Sequence, residues 1–106
     1  MAQFDVHRNP ASKQDNVPYV VVVQSSVFDD YRRRVVVPLA LKSNYGPICN
    51  ARFQPGFTVK GKPVVLLPLD IGSVPSDKLG EPVASLAAHG ERIIAALDEL
   101  ITRAFD

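Results

Sequence analysis

The chain has 106 residues, of which 12 are basic and 11 acidic, and its formal net charge is +1. This length predicts one domain spanning residues 1–106, and the balanced charge argues against a strongly basic binder of nucleic acid or membrane surfaces. The single cysteine, Cys49, cannot form an internal disulfide, and the apolar runs are too short to cross a bilayer. We therefore expect a cytoplasmic protein without membrane contact.

The first two thirds of the chain carry the patterns of β-strands. Apolar and polar side chains alternate over Gln3–His7, which predicts a half-buried strand. Four consecutive valines make Tyr19–Gln24 apolar on both faces, the pattern of a strand buried on both sides. The same pattern recurs at Val35–Val37, after which Pro38 removes a backbone donor and predicts a bulge or a sheet edge.

A hairpin and one helix complete the predicted elements. Phe57–Val59 and Val64–Leu67 flank a Lys-Gly-Lys-Pro turn and predict the hairpin. From about Glu91 to the end of the chain, apolar residues recur at helical spacing, and we expect this stripe to pack on the sheet as core. The stripe consists of Ile93, Ile94, Leu97, Leu100, Ile101 and Ala104.

One helix covers only one face of a sheet, whereas the two valine-rich strands are apolar on both faces. The other face needs cover from curvature of the sheet into a barrel or from a second copy of the chain. We predict both, because a barrel closes its edges and a symmetric dimer buries the remaining apolar surface. The predicted fold class is therefore mostly β (α+β), with a small antiparallel barrel and one C-terminal helix.

Side chains suited to catalysis are sparse, and the six glycines are scattered like turn residues. We interpret His7 and His89 as surface or helix-capping residues and Cys49 as a buried structural thiol, and we expect no cofactor. The acidic pair Asp29-Asp30 lies beside three arginines, Arg32–Arg34. This cluster is most simply a solvated turn with mutual charge compensation. Its functional alternative is a general base with phosphate-binding arginines, as in a small ribonuclease.

The connection Ser25–Tyr31 contains a large apolar pair, Val27 and Phe28, between two predicted strands. A turn does not need such a pair. It is either a local cap over the core or an exposed binding patch. Phe105, next to the end of the helix, raises the same question.

Four groups of motifs follow one another along nearly the whole chain, with an insertion around Asn9–Val17. They are Gln3-Phe4-Asp5-Val6; Val22-Val23-Gln24-Ser25 followed by Arg33-Arg34-Val35-Val36-Val37-Pro38-Leu39; Ser73-Val74-Pro75 followed by Leu79-Gly80-Glu81-Pro82-Val83-Ala84-Ser85-Leu86; and His89 with Glu91 at the helix start. Taken together, in this order and spacing, they resemble the CcdB family, the toxins of bacterial toxin–antitoxin modules.

The resemblance implies an SH3-like barrel with an extra small sheet, a C-terminal helix and assembly as a homodimer. It also implies a toxin without enzymatic activity, which traps DNA gyrase through the enzyme's A subunit while DNA is cleaved. A cognate antitoxin neutralises such a toxin by wrapping a disordered segment around the dimer. Operator DNA is bound only by the toxin–antitoxin complex, which represses its own operon.

The resemblance places the gyrase contact on two segments. Val27 and Phe28 stand where the loop of the family offers two isoleucines. The helix end departs from the family's Trp-Gly-Ile tail, and the residues that correspond to its part of the contact are Glu99, Thr102, Arg103, Ala104 and Phe105. Two alternatives stay open: a homologue that keeps the dimer and antitoxin binding but has lost or retargeted gyrase poisoning, and an endoribonuclease toxin of the related barrel fold.

Overall fold

The computed structural model describes residues 2–11 and 16–102, and within these ranges the chain forms seven strands and two helices joined by 3₁₀ turns. The strands are β1 (Asp5–Arg8), β2 (Tyr19–Val22), β3 (Arg33–Leu41), β4 (Gly56–Val59), β5 (Lys62–Leu66), β6 (Gly72–Pro75) and β7 (Ala84–Ser85). The helices are the single turn α1 (Lys42–Tyr45) and the C-terminal α2 (Gly90–Ile101). Neither of these described helices is long and apolar enough to span a membrane.

The strands pair antiparallel in the order β4-β5-β3-β2-β1-β7, and β6 branches off by pairing with β3. On one side, β3 has two successive neighbours, which are β6 beside Arg33–Val36 and β5 beside Leu39–Leu41. The sheet curls into a nearly closed barrel on which α2 packs, so the predicted mostly β fold with one C-terminal helix is confirmed. All seven described strands belong to one sheet, and the extra small sheet implied by the resemblance is not seen as a separate sheet in residues 2–11 and 16–102.

Pro38 lies inside β3, not at the bulge or edge that the sequence predicted. It stands opposite Val20 of β2. The Val23 N–H donates to the Val35 carbonyl at 3.0 Å, so the hydrogen bonds between β3 and β2 are made by odd-numbered residues of β3. The backbone of Pro38 therefore faces the side of β3 away from β2. There its carbonyl accepts from Leu67 N at 3.0 Å, where the neighbour of β3 changes from β5 to β6. The missing N–H therefore falls at this change of neighbour.

Both faces of the sheet are covered within one chain. The inner face forms the main core, which includes Val21, Val37, Leu39, Leu66 and, from α2, Ile93. On the outer face, valines of β2 and β3 pack with one leucine from the segment after β6, and these residues are Val20, Val22, Val36 and Leu79. The valine-rich strands are buried without a second copy, so they do not by themselves require the homodimer, which stays a prediction from the family resemblance.

His7 is fully buried, so its prediction as a surface or capping residue is wrong. It lies on β1 opposite Val20, and its Nδ1 is 3.2 Å from the carbonyl oxygen of Leu79. Its Nε2 is buried without a hydrogen-bond partner among the described groups. The ring therefore ties β1 to the segment that covers the outer face of the sheet.

The interpretation of Cys49 as a buried structural thiol is also wrong. Cys49 is exposed, because it lies between α1 and β4 in a segment that runs outside the sheet. His89 is exposed, so its interpretation as a surface residue is confirmed; it occupies the N-cap position of α2, but its side chain makes no capping hydrogen bond. Its ring instead packs beside Phe57, with 5.7 Å between the ring centroids.

The apolar stripe of α2 is narrower than predicted. Ile93 and Ala96 are fully buried, whereas Ile94 is 40% exposed and Ile101 is 70% exposed. At 100° per residue, both exposed isoleucines lie about 80–100° around the helix from Ile93. The face towards the core is therefore set by Ile93, Ala96 and Leu97, and the predicted core role of Ile94 and Ile101 is wrong.

The predicted hairpin is confirmed as β4 and β5, joined by a two-residue turn. Lys60 and Gly61 have φ angles of +53° and +77°. Two successive positive φ angles are what a type I′ turn requires, and this turn matches the right-handed twist of the strands.

Candidate functional site

The connection Ser25–Tyr31, which we name the aromatic loop, is a series of tight turns held by the end of β2. Within it, Val27 N donates to the Ser25 hydroxyl at 3.3 Å, and Phe28 N donates to the Ser25 carbonyl at 3.0 Å. Gln24 bridges the loop to β3: its Nε2 donates to the Phe28 carbonyl at 3.0 Å, and its Oε1 accepts from Val35 N at 3.0 Å. The loop is thus fixed by its own backbone and by one amide side chain.

Arg34, on β3, holds the aromatic loop through hydrogen bonds to its backbone, and its side chain is only 6% exposed. Its guanidinium donates to the carbonyls of Asp29, at 2.8 Å, of Arg33, at 3.0 Å, and of Tyr31. Its Nε lies 3.7 Å from the Asp29 carboxylate, a separation of an ion pair rather than a hydrogen bond. This part of the acidic and basic cluster is therefore a buried structural support, and its prediction as a solvated turn is wrong for Arg34.

The aromatic loop presents apolar side chains to solvent. Val27 is 78% exposed, Phe28 is 49% exposed and Tyr31 is 67% exposed. The rings of Phe28 and Tyr31 meet edge to face with 6.1 Å between their centroids. Of the two readings of the sequence, the exposed patch is the one found. Tyr31 was missed as a member, although its position three residues after Phe28, in the same connection, was a usable signal.

A groove of about 440 Å³ runs beside the aromatic loop. The two rings form one wall, and Arg33 and Ser73 form another. Arg33 donates to the Ser73 hydroxyl at 2.7 Å and to the Ser73 carbonyl at 2.9 Å. Two of the three clustered arginines, Arg33 and Arg34, therefore hold backbone carbonyls.

The end of α2 carries the other predicted contact residues. Glu99 pairs with Arg52 at 3.0 Å, and Thr102 is exposed beside a cleft of about 200 Å³ that Arg52 also lines. Arg52 was missed, because no local pattern connects it with Glu99 across the intervening strands. The predicted residues Arg103, Ala104 and Phe105 lie outside the described residues.

The two predicted segments are therefore held by different parts of one chain. Val27 and Phe28 are fixed from β2 and β3, while Glu99 lies on α2 against the turn that contains Arg52. In the described ranges 2–11 and 16–102, no group of three or more His, Cys, Asp or Glu side chains is arranged to hold a metal ion. The described part of the site is an exposed apolar patch beside arginines that donate to backbone carbonyls.

Comparison with known proteins gives one family and one fold. The family model described as "CcdB protein" matches residues 3–102. No curated protein matches the chain. Among solved structures, the chain is similar to the Mycobacterium tuberculosis toxin MazF-mt6, with a TM-score of 0.65 and 20% sequence identity over 96% of each chain. At this identity the similarity shows a shared fold.

Proposed function

The chain belongs to the CcdB family, and from this premise we propose that it is the toxin of a toxin–antitoxin module and inhibits DNA gyrase without enzymatic activity, by binding the A subunit. In this proposal it acts as a homodimer in the cytoplasm, and an antitoxin with a disordered C-terminal segment neutralises it. Operator DNA is a partner only of the toxin–antitoxin complex.

The exposed aromatic loop is the observation that carries the proposal. Tight interfaces obtain most of their energy from a few central side chains, among which aromatic residues are enriched. Phe28 and Tyr31 offer two such side chains, with Val27 beside them. Because Gln24 and Arg34 already fix the loop, little conformational entropy is lost when it binds.

The end of α2 supplies the second part of the proposed contact. Glu99 and Thr102 lie there, and Arg103, Ala104 and Phe105 follow them in the sequence. The family's Trp-Gly-Ile tail is absent from this position, so the aromatic loop carries a larger share of the proposed interface than the helix end does.

An endoribonuclease is the second candidate, because MazF-mt6 shares the fold and is named a toxin. Its catalytic groups would come from the acidic and basic cluster at 29–34. Arg33 and Arg34 already hold backbone carbonyls, so among the three arginines only Arg32 has an exposed side chain outside the hydrogen bonds described above. This arrangement favours the binding protein over the ribonuclease.

The test is a supercoiling and DNA-cleavage assay with purified gyrase, run beside cleavage of bare RNA. We expect the wild type to inhibit gyrase and stabilise cleaved DNA, and Phe28→Ala to weaken inhibition at least tenfold, since losing an aromatic anchor commonly costs ~2 kcal/mol or more. Leu69→Ala is the matched control, because Leu69 is also an exposed apolar residue, at 73%, on a different element.

Each other result selects an alternative. RNA cleavage that Arg32→Ala abolishes identifies the endoribonuclease. A wild type that binds its antitoxin and leaves both gyrase and RNA untouched identifies the homologue with a lost or retargeted poisoning function. Equal losses in Phe28→Ala and Leu69→Ala contradict the role of the aromatic loop.

A further inference from the structure

A second groove, which we name the helix groove, lies between the first turns of α2 and the segment before β1. Its volume is about 520 Å³. The floor is formed by Phe4, Gly90, Ile94 and Ala95, and its charged lining residues are Glu91 and Asp98. The helix groove shares no lining residue with the groove beside the aromatic loop.

The floor of the helix groove depends on a close approach between a ring and a helix. A Cβ atom added to Gly90 would lie 2.5 Å from Cε2 of Phe4, so only glycine admits the ring at this distance. Phe4 itself has a φ of +70°, a region that bulky residues rarely adopt. An unusual backbone conformation thus places an aromatic ring in the floor of a surface groove, a combination typical of functional sites.

The charge of the helix groove is of one sign. Glu91 and Asp98 are seven residues apart, so they lie on one face of α2 about 10 Å apart along the axis. Ile94 and Ala95 lie between them on the same face. Arg52 lines the neighbouring cleft beyond Asp98 and pairs there with Glu99, and among the residues that the structure describes no basic residue lines the helix groove itself.

We propose that the helix groove binds an amphipathic segment of another protein in which an apolar side chain stands between two basic residues. Ile94, 40% exposed, and the Phe4 ring receive the apolar side chain, and the two carboxylates receive the basic groups. This is the arrangement by which amphipathic helices are held in grooves. The helix groove contains none of the proposed gyrase-contact residues, although it shares Ala95 and Asp98 with the cleft beside Glu99 and Thr102, and the proposal does not depend on gyrase binding.

The negative charge of Glu91 and Asp98 favours a basic protein segment over the two other ligands that an apolar groove could bind, a second copy of the chain and a membrane surface. A symmetric contact with a second copy of the chain would bring Glu91 and Asp98 against the same two carboxylates, which repel one another. An anionic membrane surface is repelled for the same reason. A basic protein segment is the occupant whose charge matches.

The experiment uses two fluorescein-labelled, alanine-based helical peptides and the full-length protein. The basic peptide carries leucine at two adjacent central positions and lysine at two positions seven residues apart that flank them. In the control peptide both lysines are glutamates. We expect saturable binding of the basic peptide in fluorescence anisotropy, at least tenfold tighter than that of the acidic peptide, and weaker as ionic strength rises to about 0.5 M.

Two matched pairs of variants locate the binding. We expect Glu91→Lys with Asp98→Lys to weaken binding at least tenfold, whereas Asp77→Lys with Glu81→Lys, which makes the same change of net charge at other exposed acids, weakens it less than twofold. In the second pair, we expect Ile94→Ser to weaken binding at least fivefold. Ile101→Ser, on the same helix but outside the groove, should leave the affinity unchanged. All variants are first checked for wild-type circular dichroism.

Three results would overturn the proposal. The first is that the basic and acidic peptides bind with equal affinity, or that neither binds at concentrations up to about 1 mM. The second is equal weakening within either pair of variants. The third is a set of amide shifts in an NMR titration that avoids residues 87–98.

Discussion

The guanidinium of Arg33, on β3, binds the backbone of Ser73 on the neighbouring strand β6. Its Nη2 donates to the Ser73 carbonyl at 2.9 Å. Ser76 N donates to the Arg32 carbonyl at 2.8 Å, so the hydrogen bonds between β6 and β3 are made by even-numbered residues. The backbone N–H and C=O of the odd-numbered Ser73 therefore point away from β3, towards the open edge of the sheet. Pro75, the next outward-facing residue, has no N–H to offer. The open edge of β6 is thus closed by one side chain and one proline, a common protection against strand addition.

The first prediction follows from this protection. We expect Arg33→Ala to self-associate with time and concentration, because it frees the outward carbonyl of Ser73, while the free energy of unfolding changes by less than about 1 kcal/mol at this exposed site. Dynamic light scattering over several hours provides the measurement. Arg32→Ala removes the same charge from an exposed neighbour and is the control. Equal association of the two variants would show that charge, not the edge, matters.

The second prediction concerns Arg34, which joins the aromatic loop to β3. Arg34→Ala removes the buried guanidinium that donates to three carbonyls and lies 3.7 Å from the Asp29 carboxylate. We expect the free energy of unfolding to fall by about 2–3 kcal/mol in a urea titration, the range for hydrogen bonds to a charged group. Arg34→Lys should recover only part of this loss, since one ammonium cannot reproduce the planar fork of donors. Full recovery with lysine would mean that charge alone holds the loop.

The strands and the helix were predictable because each follows from a pattern within a few residues. The valines of β2 and the spacing of Ile93 and Leu97 report directly which faces are apolar. The errors fall on residues whose surroundings are set by distant segments. His7 is buried because Leu79 covers it, and Cys49 is exposed because its segment leaves the sheet. No local pattern contains either fact.

The candidate site divides in the same way. The apolar pair in the aromatic loop was visible, because a loop does not need it for folding. The pairing of Arg52 with Glu99 and the donation of Arg33 to Ser73 were not visible, because each joins residues that only the topology of the sheet brings together. Long charged side chains reach partners in several directions, so their sequence position predicts little.

The third prediction tests the face that α2 turns to the core. Ile93 is fully buried and its neighbour Ile94 is 40% exposed. We expect Ile93→Ala to lower the free energy of unfolding by about 2–5 kcal/mol, the range for deleting a buried large aliphatic side chain. Ile94→Ala makes the same chemical change and should cost less than about 1 kcal/mol, because water already reaches that side chain. Similar losses at the two positions, measured by urea titration, would mean that the helix is rotated from this orientation.

The last prediction concerns Gly90 and Phe4. In a helix, alanine is favoured over glycine by about 1 kcal/mol, so Gly90→Ala would ordinarily stabilise the first turn of α2. Here the new methyl group would lie 2.5 Å from the Phe4 ring. Overpacking of this kind typically costs about 1–3 kcal/mol, so we expect Gly90→Ala to be neutral or destabilising in the wild type. In the Phe4→Ala background the ring is absent, and the same substitution should stabilise the protein by the full helix propensity. Thermal and urea unfolding of the four proteins in this cycle give the coupling between the two positions. A stabilising Gly90→Ala of equal size in both backgrounds would show that the ring does not occupy the first turn of the helix.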